Sequence, residues 1–60
     1  MEIILSKRAG SVLVYIPELD KRVSLDANTF LWFDGRFCHN EIVDHITETY
    51  NIEVTKVIYM

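Results

Sequence analysis

Two short apolar segments joined by a glycine turn constrain the fold of this chain more than any other feature. Residues 2–7 place Ile3 and Leu5 on one face of a strand, and residues 12–16 carry valine or isoleucine at every second position. The turn between them contains Gly10, whose backbone freedom suits a tight reversal of direction. The pattern predicts a β-hairpin.

A third apolar segment extends this hairpin. Pro17 interrupts the second strand, and residues 21–25 then point Val23 and Leu25 towards the predicted core. Residues 1–25 therefore predict a three-stranded antiparallel meander whose third strand has a free outer edge. Because two helical patterns follow it, the predicted class is α+β, in a winged-helix-like arrangement.

Residues 26–34 predict a first helix of about two turns. Asp26 is its expected N-cap, because a carboxylate there accepts from the free N–H groups of the first turn, and Gly35 is expected to end it. Residues 30–33 (FLWF) are apolar on every side, so this helix has to be covered on most sides. We therefore assign Trp32 to the core rather than to an exposed anchor for a partner.

A second helix is predicted over residues 39–50, with Cys38 at the N-cap position and Asn51 at its C-terminal end. Glu41 stands three residues after the cap, as in a capping box. The expected buried stripe consists of Ile42, Val43, Ile46 and Tyr50. The exposed face carries three acidic residues and no basic one: Glu41, Asp44 and Glu48.

The last nine residues, 52–60, fit two secondary structures. Their β-branched residues favour a strand, but the same residues also fit a short helix capped at Thr55. Residues 57–60 are apolar, so the end of the chain is expected to be buried in this fold or against another molecule. A homodimer through this C-terminal segment is one such arrangement, and Tyr59 is a candidate anchor in it.

Composition limits the class of protein. Sixty residues, half of them apolar, make one small domain spanning residues 1–60. A single cysteine cannot close an internal disulfide, and the sequence begins without a secretory pattern, so a cytoplasmic location is expected. The longest apolar run, residues 12–16, is far too short to cross a membrane, and no membrane partner is expected.

The charge distribution argues against a nucleic-acid partner. Residues 1–25 have four basic and three acidic side chains, a net charge of +1, whereas residues 26–60 have two basic and six acidic ones, a net charge of −4. Two helices beside a sheet also fit a winged helix-turn-helix, but its recognition helix would present acidic side chains to phosphates. We therefore expect no nucleic-acid binding.

The chemically reactive residues cluster at the start of the second helix. Cys38 and His39 suggest an activated thiolate, but neighbouring side chains at a helix start point apart. A metal site has five candidate ligands there: Cys38, His39, Glu41, Asp44 and His45. No paired Cys-x-x-Cys is present, however, and the two histidines fall on different sides of the helix. We expect no catalytic residue, no metal and no cofactor.

Four segments follow one another in an order typical of a known family. They are residues 12–15 (VLVY), 23–26 (VSLD), 31–36 (LWFDGR) and 41–43 (EIV), with Tyr50 at the end of the second helix. In this order, and in the spacing from Asp34-Gly35 to residues 41–43, the chain resembles the peptide chaperone of pyrroloquinoline quinone biosynthesis and related precursor-peptide recognition elements. It departs from them in a first helix about one turn shorter and in having no full third helix. Cys38 stands where that family has a serine or threonine cap.

The resemblance implies a non-catalytic peptide-binding module. Members of that family capture the leader segment of a precursor peptide as an extra strand on the third strand and present it to a modifying enzyme. The implied edge strand consists of Lys21, Arg22, Val23, Ser24 and Leu25, and the implied opposite wall of the groove consists of Val54, Val57 and Ile58. The two basic residues favour an acidic leader, and a proline at Val23 is expected to remove a donor from the ladder.

A different class of function fits the acidic helix face. A small acidic protein, such as a phage-encoded or mobile-element-encoded inhibitor, would use Glu41, Asp44 and Glu48 to cover a basic site on a larger target. The two hypotheses differ in their dependence on salt. Strand addition responds little to ionic strength, whereas binding through the acidic face weakens sharply as salt is added.

Overall fold

A four-stranded sheet with helices on one face makes up the fold. The computed structural model describes all 60 residues. The strands are β1 (Glu2–Arg8), β2 (Ser11–Ile16), β3 (Lys21–Asp26) and β4 (Lys56–Tyr59). The helices are α1 (Ala27–Phe30) and α2 (His39–Tyr50), and one 3-10 turn, Pro17–Leu19, connects β2 to β3. The predicted α+β class is confirmed.

The order of strands in the sheet is β3-β2-β1-β4. β1 and β3 each pair antiparallel with β2, as the hairpin and meander patterns predict. The sheet is not a simple three-stranded meander, however, because β4 joins it parallel to β1 and makes it a mixed sheet of four strands. The C-terminal segment, left open between strand and helix, is thus a strand.

The amino terminus holds β4 in this position. The Met1 ammonium group donates to the Glu53 carbonyl at 2.6 Å, and the Thr55 N–H donates to the Met1 carbonyl at 2.8 Å. These bonds bring the start of β4 beside the start of β1, so the two strands run in the same direction from there. A parallel pair requires a long crossover, which α1 and α2 supply on one face of the sheet.

The core lies between the sheet and α2. The fully buried sheet residues are Ile3, Leu5, Val12, Val14 and Ile16, and Leu25 of β3 is nearly so. From α2, Ile42 and Ile46 are fully buried against them. The predicted helical stripe is therefore confirmed, with Val43 and Tyr50 at its half-buried margins.

The first helix is much shorter than predicted. Asp26 is its N-cap, as expected, and its Oδ1 atom accepts from the Asn28 N–H at 3.0 Å, but α1 has only four residues and ends at Phe30. Leu31 is extended and forms a bridge with Phe37. The intervening residues close a tight turn rather than a second helical turn.

The start of α2 is also built differently from the predicted capping box. Cys38 occupies the N-cap position, but its side chain is buried and makes no capping hydrogen bond. The Cys38 N–H donates to the Phe30 carbonyl at 2.9 Å, so it does not need the Glu41 side chain as an acceptor. At the other end Asn51 adopts the expected left-handed conformation, with a φ of 52°.

Candidate functional site

The outer edge of β3 is the surface that the sequence singled out for peptide binding. β3 is the terminal strand of the sheet, so one side of its backbone has no strand beside it. The Ala27 N–H donates to the Gly10 carbonyl at 3.3 Å, which fixes the phase of the ladder. In the observed register of β2 and β3, this hydrogen bond directs the backbone groups of Val23 towards Val14 of β2 and those of Arg22 and Ser24 outward.

The direction of these N–H groups differs from the one expected from the sequence. Val23 was expected to present an N–H group at the free edge, but its N–H points inward to β2. The outward N–H and C=O groups belong to Arg22 and Ser24, and the Asp26 N–H continues the same row. The sequence pattern could not show this, because it fixes the face of each side chain and not the direction of each N–H group.

The basic side chains at this edge are held by aromatic rings. The Arg22 guanidinium carbon lies 4.7 Å from the Tyr15 ring centroid, and the Lys21 ammonium nitrogen lies 5.4 Å from the Tyr50 ring centroid. Arg22 also lies 4.0 Å from an Asp20 carboxylate oxygen, in a pair that is largely exposed. Lys21 and Arg22 are both exposed, so a positive charge stands on each face of the sheet at this end of β3.

The predicted opposite wall does not stand beside β3. Val57 and Ile58 lie in β4, and Val54 lies just before it, at the other edge of the sheet. β1 and β2 separate the two edges, which places them about 14 Å apart at ordinary strand spacing. The structure therefore brings residues 21–25 together but does not bring the wall residues to them.

Helices occupy the core-side position next to β3 instead. α1 follows β3 directly and contacts β2, β3 and α2. Its Phe30 ring lies 5.4 Å from the His45 ring of α2, and Val23 of β3 remains half-buried beside the core. The free edge therefore has an apolar neighbourhood on its core side, made by one strand and two helices.

The assignment of Trp32 to the core is wrong, and the neighbouring Phe33 is exposed as well. Trp32 is 55% exposed and Phe33 is fully exposed. Both lie in a turn closed by hydrogen bonds from Gly35 N–H to the Trp32 carbonyl, at 2.9 Å, and from Trp32 N–H to the Arg36 carbonyl, at 2.8 Å. Gly35 has a φ of 85°, a value that favours glycine. The Asp34-Gly35 pair in the sequence is typical of a turn, and it could have indicated that the turn begins at Trp32, within the aromatic run.

An ion pair tightens this aromatic turn. The Arg36 Nε atom lies 2.6 Å from Asp34 Oδ2, and the Arg36 N–H donates to Asp34 Oδ1 at 3.1 Å. The backbone hydrogen bond from Arg36, together with its positive charge, holds the pKa of the Asp34 carboxyl below its ordinary value of 3.8. Both ends of the turn are thus fixed while its aromatic side chains face solvent.

The acidic helix face is present as a surface. Glu41, Asp44 and Glu48 are all exposed on α2, and none of them has a basic side chain within 4.0 Å. The two reactive residues at the start of α2, Cys38 and His39, differ in their exposure. The Cys38 thiol is buried, whereas the exposed His39 ring forms its hydrogen bond with the Tyr59 hydroxyl of β4.

No family model, curated protein or solved structure matches this chain. Neither helix has the length and the hydrophobicity that crossing a membrane requires. The geometry of the β3 edge and of the exposed surfaces therefore carries the functional argument.

Proposed function

We propose that this chain is a non-catalytic peptide-binding module that captures an extended segment by strand addition on the outer edge of β3. The resemblance to winged-helix-like recognition elements suggests a precursor-peptide leader as the segment, to be presented to a modifying enzyme. The observation that carries the proposal is the outward row of backbone groups at Arg22 and Ser24 on the unpaired outer edge of β3. Strand addition uses such a row as its template.

The free edge offers enough hydrogen bonds for a measurable affinity. Arg22 and Ser24 together present two N–H groups and two carbonyl groups, and each bond formed contributes about 0.5–1.5 kcal/mol net. Against the cost of ordering a flexible peptide, backbone bonds alone give weak binding. Side-chain contacts of the peptide therefore have to supply the rest of the affinity and all of the specificity.

The charges at the edge favour an acidic peptide. Arg22 and Lys21 point to opposite faces of the sheet at the same end of β3. An added strand places successive side chains on alternate faces in the same way, so two neighbouring acidic residues would each meet one cation. An apolar residue next to them would lie beside half-buried Val23.

The proposal can be tested by selection from a displayed library of random 12-residue peptides. We expect enrichment of acidic, extended sequences and, on titration of a selected peptide, amide shifts at Arg22, Ser24 and Asp26 in NMR spectra. Ser24→Pro removes an outward donor and leaves a peptide carbonyl unpaired, so its affinity should fall about tenfold or more. Raising the salt concentration should change the affinity only modestly.

A matched control uses the acidic face. Glu48 is exposed on α2 and does not belong to the β3 edge, so Glu48→Gln should leave peptide affinity unchanged. If Ser24→Pro binds the selected peptides as tightly as the unmodified chain, strand addition on β3 is wrong. If no peptide is enriched, the proposed function fails as a whole.

The acidic face supports a second candidate function. Three exposed carboxylates without ion-pair partners suit a small interaction or inhibitor protein that covers a basic site on a larger target. In capture from the native cell lysate, such a target should be retained at low salt and released at moderate salt. Replacing Glu41, Asp44 and Glu48 together by glutamine should abolish that capture, while Ser24→Pro should not affect it.

A further inference from the structure

One face of the sheet has no covering element. Because α1 and α2 both lie on the core side, side chains at the alternate strand positions face away from them. We call this surface the open face. A row of paired residues crosses it from β4 to β3: Ile58, Ile4, Tyr15 and Arg22. Leu13 of β2 and Met60 after β4 lie next to this row on the same face.

The open face has an apolar centre and a polar margin. Ile4, Leu13, Tyr15 and Ile58 are only half-buried, and a concavity of about 390 Å³ lies over the first three of them. The surrounding positions carry serines at 6, 11 and 24 and charged residues at 2, 8, 22, 26 and 56. A solvated antiparallel face normally carries polar side chains, whereas an apolar centre inside a polar rim is typical of a protein interface.

The charges on the rim match those of a second copy. Arg8 of β1 pairs with Ser11 of β2, which pairs with Asp26 of β3, so a cation and an anion stand at equal distances on either side of β2. A two-fold axis parallel to β2 exchanges these two positions. It brings Arg8 of each copy opposite Asp26 of the other, and it brings Leu13 and Tyr15 onto their own counterparts.

We propose that two copies of this chain pack open face to open face about a two-fold axis parallel to β2. The sheets lie about 10 Å apart, as in a β-sandwich. The three overlapping strands of each copy (β1, β2 and β3), about 4.8 Å apart and about 20 Å long, cover roughly 300 Å² of each copy, less than half of what a standard stable interface covers. The dimer is therefore weak, and it forms in the micromolar to millimolar range of protein concentration.

This packing places β4 of one copy near the peptide-binding edge of the other copy. β4 lies two strand positions from β2 on the side of β1, so the two-fold axis carries it to the position just beyond β3 of the other copy. Ile58 and Met60 of one copy then lie under a strand added to β3 of the other. They supply an apolar wall for that strand on the open-face side, and this step rests on the proposed function.

Sedimentation velocity of the full chain between 10 µM and 1 mM tests the dimer without any peptide. We expect concentration-dependent association that Leu13→Glu weakens at least tenfold, because a carboxylate would be buried at the two-fold axis. Phe33→Ser, in the aromatic turn, is the matched control and should leave association unchanged. A chain that remains monomeric at 1 mM overturns the proposal.

A charge exchange tests the orientation of the two copies. Arg8→Asp and Asp26→Arg should each weaken self-association, since each variant places like charges opposite one another. An equimolar mixture of the two variants restores both pairs and should associate more tightly than either variant alone. If the mixture gains nothing, the proposed axis is wrong.

A different dimer would be recognised by a variant of β4. The Met60 N–H donates to the Leu5 carbonyl, so the Val57 N–H points outward from the sheet. If Val57→Pro abolishes association while Leu13→Glu does not, the copies pair edge to edge through β4 and the face-to-face proposal is wrong. Peptide selection does not enter these measurements, so their failure is distinguishable from failure of the proposed function.

Discussion

Two adjacent proline substitutions in β3 should differ sharply in their effect on stability. Val23 and Ser24 are neighbours on the same edge strand, but the N–H of Val23 points to Val14 of β2 and that of Ser24 points outward. Proline removes the N–H group in both cases. The two variants therefore differ first in whether the lost N–H group was bonded to β2 or to water.

The expected costs follow from what each N–H group contacts. Val23→Pro leaves the carbonyl of Val14 without its donor, and Val14 is fully buried, which costs about 1–3 kcal/mol. The proline ring also intrudes on β2 and replaces a half-buried valine, so we expect a total of about 3–5 kcal/mol. Ser24→Pro loses only a bond to water and should cost about 1 kcal/mol or less, as proline does at an exposed edge.

Urea unfolding followed by far-UV circular dichroism measures both variants. A chain of 60 residues has a total stability of about 3–9 kcal/mol, so Val23→Pro should be largely unfolded while Ser24→Pro retains a cooperative transition. The reasoning is refuted if the two variants lose similar stability, or if Ser24→Pro is the less stable one. A less stable Ser24→Pro variant would mean that the N–H group of Ser24, and not that of Val23, points to β2.

Three further predictions concern the core and the aromatic turn. Ile46→Ala should lower the free energy of unfolding by about 2–5 kcal/mol, because the Ile46 side chain is fully buried between α2 and the sheet. A loss below about 1 kcal/mol in urea titration would contradict that packing. Phe33→Ser should change the free energy of unfolding by about 0.5 kcal/mol or less, and hence the midpoint of thermal unfolding by no more than about 2–4 °C, since the side chain is fully exposed. Arg36→Ala should raise the pKa of Asp34 towards 3.8 in an NMR titration. Because the folded-state pKa is the lowered one, the contribution of Asp34 to stability is present above pH 3.8 and is lost as the pH falls through the folded-state value. Arg36→Ala should reduce that loss only in part, since alanine keeps the backbone N–H that donates to Asp34.

The local patterns identified most of the elements because their partners are close in the chain. The β-hairpin depends on alternation and on the turn at Gly10, and α2 depends on its apolar stripe and on Asn51. The pairing of β4 with β1 joins residues more than fifty positions apart. No local pattern encodes that pairing, so the sequence left residues 52–60 open between strand and helix.

The aromatic segment shows where a composition rule failed. A run of four apolar residues predicts burial if all four lie in one helix, and that premise made Trp32 a core residue. The chain leaves the helix at Leu31, where the bridge to Phe37 and the turn at Gly35 take over the backbone hydrogen bonds. Exposure of Trp32 and Phe33 thus follows from one early helix end, and the apolar content of the segment gave no indication of it.

The position of β4 links the failed part of the site prediction to the proposed dimer. Within one copy, β1 and β2 separate Ile58 from the free edge of β3, so the predicted two-walled groove does not form. In the same strand order β3 is directly beside β2, whereas β4 lies two positions from β2 on its other side. A two-fold axis parallel to β2 therefore has to carry β4 beyond β3 of the other copy. If the dimer forms in this way, Ile58→Ser should weaken peptide binding and leave self-association largely unchanged, whereas in a monomeric module it should leave peptide binding unchanged.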